Sequence, residues 1–172
     1  MKEDVIARLD GIPNAVYNKE DFADIDAKWR KCLIYSACYL ALAAVVVGWT
    51  FAARIKPATM LAVVALGCAA VFLWGMKVSP IRLMRKYMYE THSGLTKRAV
   101  GRVTFFAEDV TPREGIECRR VILNVGEKDD PNDERLFYWN AALPCPPYQL
   151  GCMAEVTSHG NDIIGFVCHS TP

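Results

Sequence analysis

Residues 32–53 read CLIYSACYLALAAVVVGWTFAA, and residues 57–76 read PATMLAVVALGCAAVFLWGM. The first run is 22 residues long, the second is 20, and neither contains Asp, Glu, Lys or Arg. An α-helix rising about 1.5 Å per residue needs roughly 20 apolar residues to cross the hydrocarbon layer. Backbone N–H and C=O groups in lipid must be satisfied inside the segment, which makes each run helical. Core helices of soluble bundles carry a charged face at this length, and these runs have none. A transmembrane helical hairpin is therefore expected over residues 32–78.

Working outward, Arg54, Ile55 and Lys56 leave room only for a tight turn, with Pro57 suited to the first turn of the second helix. Lys19, Lys28, Arg30 and Lys31 precede the hairpin, and Lys77, Arg82, Arg85 and Lys86 follow it. The loop offers only Arg54 and Lys56, so the positive-inside rule places both termini in the cytoplasm. Trp29, Trp49 and Trp74 fall near the span ends, where interfacial aromatics concentrate. The acidic stretch before the first run is unlike a cleaved signal peptide. It forms an N-terminal helical segment over residues 1–31, with Asn18 as a helix cap and Phe22, Ile25 and Trp29 as an apolar stripe.

Small residues recur at spacings of four within the spans: Ala44, Gly48 and Ala52 on the first, Ala58, Ala62, Ala65 and Ala69 on the second. Such faces let helices approach closely in lipid, either within the hairpin or between copies. Of the 7 cysteines, Cys118, Cys145, Cys152 and Cys168 fall beyond the spans, and in the cytoplasm they stay reduced.

Residues 79–94 read SPIRLMRKYMYETHSG and carry a net +3 together with the flanking Lys77. Ser79 is a candidate N-cap and Pro80 fits the first helical turn, so the second span is expected to end or kink near Val78. On a helical wheel Ile81, Met84 and Met88 share one side with Leu83 and Tyr87. Arg82, Arg85 and Lys86 occupy the other side. The segment reads as an amphipathic helix in the headgroup layer meeting anionic lipid, or as a helix packed on the following domain.

Residues 95–172 carry 8 basic and 11 acidic side chains and change to short β-type runs. Five strands are expected at 99–107, 119–125, 135–141, 152–158 and 162–168, separated by turn signals of which His159-Gly160-Asn161 is the strongest. Five short strands imply a small OB-like or SH3-like barrel. The fold class is thus a two-helix membrane hairpin plus a small all-β C-terminal domain. This order of elements resembles that of the NfeD-like membrane proteins, which carry an OB-fold beyond their spans. The resemblance is one of architecture, without a shared motif, and fold-level analogy transfers no function.

Chemistry is sparse. Cys145, Cys152, His159, Cys168 and His169 match no metal-ligand spacing, and Cys168 and His169, being adjacent, point to opposite faces of a strand. The acidic run at 127–134 lacks EF-hand spacing. Phe105, Phe106, Phe137, Tyr138 and Trp139 would need a positive groove to stack nucleic acid, and this domain is net acidic. No cofactor, metal or nucleic-acid partner is expected. The sequence predicts a membrane protein displaying a β-barrel for interaction or assembly, with lipid and a protein partner or second copy as its contacts. The alternative is an accessory subunit of a larger membrane complex or transporter, and the third class is an enzyme.

Overall fold

The computed structural model describes residues 2–126, 131–146 and 148–169. By its internal contacts the chain forms two compact units: one of residues 23–85, the other of residues 1–22 together with 86–172.

The first unit is helical. Helix α1 (Lys2–Leu9) belongs to the other unit; α2 spans Lys19–Ala52 and α3 spans Lys56–Leu73. At the start of α2 the Asn18 carbonyl accepts from Asp21 N–H (3.0 Å), and the Asp21 carboxylate accepts from Asn18 N–H (2.7 Å). This reciprocal cap satisfies donors that a helix start leaves free. Arg54, at φ 55°, turns the chain between the helices in the left-handed conformation usual just past a helix end. Pro57 lies in the first turn of α3, where its missing N–H is not needed.

α2 and α3 meet along a seam. Cys32 is buried, and Ser36, Tyr39, Ala43, Val47 and Thr50 are half-buried at spacings of three and four. Ala58, Thr59, Ala62, Leu66, Ala69 and Ala70 are the half-buried positions of α3. The Tyr39 hydroxyl donates to the Leu66 carbonyl across the seam. The other positions of the two apolar runs, 32–53 and 57–76, are open: only 6% and 0% of the most apolar windows is buried.

The expected break at Val78 is absent. Trp74–Val78 forms a π-helical turn, and α4 follows directly over Ser79–Ser93. Ser79 is itself helical (φ −60°, ψ −48°), and its N–H donates five residues back to the Trp74 carbonyl. A proline ring clashes with the carbonyl four residues before it, here that of Met76, and removes one ladder donor. Widening the turn before Pro80 relieves that clash, so the helix continues where the sequence reads a stop.

The second unit is built on five strands: β1 (Thr96–Arg113), β2 (Ile116–Asn124), β3 (Glu134–Asn140), β4 (Met153–His159) and β5 (Asp162–His169). The order is β1-β2-β3-β5-β4, and β4 pairs back with β1, so the sheet closes on itself. β1 is twice the expected length. Its first half pairs with β4 and its second with β2, with register shifts between Val103 and Val110. Such bulges bend a strand, which lets one strand serve two neighbours. Inside the sheet, Val103, Val121, Leu123, Phe137, Trp139, Ala154, Val156 and Phe166 form the core.

β5 breaks the alternation expected of a half-exposed strand: Ile163, Ile164, Gly165 and Phe166 are all buried. The outer side is covered by the N-terminal segment. Val16 N–H donates to the Ile164 carbonyl (2.8 Å), and Ala15 bridges Gly165. The last two turns of α4 lie in the same unit. Phe22 meets the rings of Tyr89 and His92 edge-on at 5.3 Å, Tyr17 meets His92 at 5.7 Å, and Asn140 Nδ2 donates to the Tyr17 hydroxyl at 2.6 Å. The residues before the first apolar run therefore divide between the units. The sequence reading treats 1–31 as one separate segment.

Candidate functional site

The helical unit contains a cleft of about 670 Å³ between α2 and the α3–α4 helix. Helical spacing places Lys28, Lys31, Cys32 and Tyr35 on its α2 wall, and Trp74, Lys77, Val78 and Ile81 face them. Because the two helices run antiparallel, all three lysines come from the same end of the hairpin. Beyond them the walls are apolar, through Leu40, Ala70 and Leu73. Lys28 Nζ pairs with Asp24 at 2.7 Å. At the same end Arg85 Nε donates to Asp26 Oδ1 at 2.7 Å, with both side chains largely covered.

The residues predicted for the membrane surface are thus distributed. Ile81 lines the cleft, Met84 is half-buried, Arg85 pairs with Asp26, and Arg82 is exposed. Lys86 lies 3.7 Å from Glu90 on the next turn. Met88 is only 2% exposed, covered by protein within the β unit. Of the small residues, Ala58, Ala62 and Ala69 are half-buried, and Ala65 is exposed. Ala44, Gly48 and Ala52 are exposed, with nothing within 4 Å of a Cβ placed on Gly48.

A second cavity, of about 720 Å³, lies in the β unit against Trp139, Tyr148 and Phe166. Its walls carry Cys145, Cys152 and Cys168, which sequence spacing gave no reason to group. Cys168 Sγ donates to Cys152 Sγ at 2.6 Å, and Arg119 Nη1 donates to Cys145 Sγ at 2.6 Å. The bond to Cys152 and partial burial both raise the Cys168 thiol above its ordinary value. His159 is engaged elsewhere, its ring Nδ1 3.0 Å from the Leu95 carbonyl.

Between α4 and the sheet lies a buried polar cluster with a structural character. The Asp162 carboxylate sits 3.3 Å from Arg113, whose guanidinium stacks 4.2 Å over Tyr138. Burial raises Asp162 above the usual carboxylate range, and Arg113 opposes that shift. His92 Nδ1 lies 2.9 Å from the Met88 carbonyl, which only accepts, so Nδ1 carries the proton. Its Nε2 is buried and has no hydrogen-bond partner among the described residues. Desolvation accordingly lowers His92 below its ordinary value.

No protein-family model, curated protein or solved structure matches this chain.

Proposed function

We propose that the chain is an integral membrane protein whose two apolar helices tether a small OB-type barrel, with both termini in the cytoplasm. The barrel serves as an interaction or assembly module. One observation carries the membrane reading: 6% and 0% burial of the apolar windows leaves two full-length apolar helices uncovered by the chain itself. A core helix of a soluble protein buries that surface, and in water its exposure is a strong drive to associate. The OB-type reading is supported by the strand order, the long bent β1 and the parallel contact of β3 with β5 at Tyr138 and Asp162.

The lysine end of the hairpin cleft supports anionic lipid as the contact at the cytoplasmic surface. Lys28, Lys31 and Lys77 meet headgroup phosphates there, and one acyl chain lies along Leu40, Ala70 and Leu73. Trp74, at the same end, suits the interface. The open stripe Ala44, Gly48 and Ala52 favours a second reading, an accessory subunit of a larger membrane assembly that packs another helix there.

Two measurements test this. The protein should stay in the membrane pellet after alkaline carbonate washing, and its release would overturn the membrane reading. Exposed Cys145 should resist an impermeant maleimide applied to intact cells. Labelling from outside would reverse the topology.

A further inference from the structure

The β4–β5 hairpin closes through Gly160 and Asn161, with His159 paired to Asp162. Continued without interruption, that register places Cys168 opposite Met153, and therefore on the other face from Cys152. The structure departs from it. A register shift at Thr157 and Ser158 leaves Ile164 as an extra residue of β5, so Cys168 instead pairs with Ala154. Residues two apart on a strand share a face, so Cys152 and Cys168 now lie on one side as diagonal neighbours. The unpaired Ile164 carbonyl is taken by Val16 N–H at 2.8 Å, which holds the bulge in place.

We propose that Cys152 and Cys168 form a thiol–disulfide exchange site in the wall of the β-unit cavity, with a low-molecular-weight disulfide such as oxidised glutathione as its oxidant. The two sulfurs stand 2.6 Å apart, close to the separation of about 2.05 Å in a bonded pair, so linkage needs little movement. Cys168 is half-buried and Cys152 is buried, which orders the steps. Cys168 Sγ, having given up its proton, attacks one sulfur of the small disulfide. That disulfide's S–S bond breaks and its first half leaves as a thiolate, which takes up the proton. Cys152 Sγ then attacks Cys168 Sγ in the mixed disulfide. The intramolecular S–S bond forms, the second half leaves, and it takes the Cys152 proton. The protein dithiol loses two electrons, and the small disulfide gains them as two thiols. Linkage ties the start of β4 to the end of β5 and fixes the cavity wall they share.

The test uses the full chain in detergent micelles, reduced, freed of reductant and incubated with oxidised glutathione. Two of the 7 thiols should become resistant to alkylation and return with dithiothreitol. A protease cutting after glutamate separates the cysteines at Glu155, so the fragments should stay joined until reduced. Cys145→Ser should leave the linkage intact. Cys152→Ser should halt at a glutathione adduct on Cys168. The wild-type map decides the matter even where a variant fails to fold. Retention of all thiols, linkage through Cys145, or the same scrambled pairing that guanidinium-unfolded chain gives would overturn the proposal.

Discussion

Replacing Gly165 by alanine tests whether the N-terminal segment is part of the β unit. A Cβ at this position would stand 2.8 Å from Ile12 Cγ2 and 2.8 Å from the Pro13 carbonyl oxygen. Gly165 has no positive φ, so the cost is steric and not conformational. The Ile12 methyl belongs to a side chain that is able to turn aside. Pro13 O is backbone, and the residues beside it are fastened to β5 by Val16 N–H to Ile164 O (2.8 Å) and Phe166 N–H to Asn14 O (3.4 Å). Relief therefore means lifting the segment. Forcing a methyl group into a filled site costs about 1–3 kcal/mol. For a unit of this size each kcal/mol moves the melting temperature by about 4–8 °C. A fall of roughly 5–20 °C is expected. Hydrogen exchange read peptide by peptide should show lost protection at Val16 and Phe166 first. Ile12→Ala in the same chain should recover part of the loss, since it removes one of the two obstacles. An unchanged melting temperature with unchanged exchange at Val16 would refute the docking of this segment.

Other outcomes follow from single groups. His92 is held below its ordinary value of about 6.5 by burial, so the unfolded chain takes up the proton first. Stability is then full above that pH and falls as pH drops below it, by at most about 1.4 kcal/mol per unit from this group. His92→Phe should flatten that slope in pH-resolved melting. Asp26→Ala should destabilise the helical unit by about 1–2 kcal/mol, from loss of a charged hydrogen bond to Arg85. Exchanging the two charges, Asp26→Arg with Arg85→Asp, should restore most of that loss in the same assay. Lys28→Gln, Lys31→Gln and Lys77→Gln together should lower the anionic phospholipid retained per chain in native mass spectrometry. Equal retention would remove the cleft as its seat. Cys118 is fully buried and its thiol is pushed up to about 11 by that burial. It should resist alkylation at pH 8 while exposed Cys145 reacts, and the difference should vanish in denaturant.

Much of this protein is legible along the chain because the deciding signals are local. Uncharged length marks the two apolar helices, and β-branched and aromatic runs between turn residues mark the five strands. The Gly160 hairpin needed only its own residues. Where local rules failed, a neighbouring turn compensated. Pro80 does not stop the helix because the π turn at Trp74–Val78 moves the Met76 carbonyl out of its way. The break between the first two expected strands, 108–118, shrinks to a tight turn, since β1 runs to Arg113 and only Glu114 and Gly115, at φ 51° and 82°, reverse the chain.

The face of Ser79–Gly94 illustrates the division between sequence and structure. Periodicity establishes that Ile81, Met84 and Met88 share a side, because a helix repeats every 3.6 residues whatever surrounds it. What that side covers depends on residues far away in the chain: Ile81 faces the hairpin cleft, and Met88 is enclosed in the β unit. The cysteines show the same limit more sharply. Composition gives their number, but the meeting of Cys152 and Cys168 hangs on one extra residue in β5. A one-residue shift exchanges the faces of every side chain beyond it. That bulge is held by Val16, more than 140 residues earlier in the chain. Local chemistry therefore determined the elements, and only the tertiary fold, through contacts between distant residues, decided which side chains they bring together.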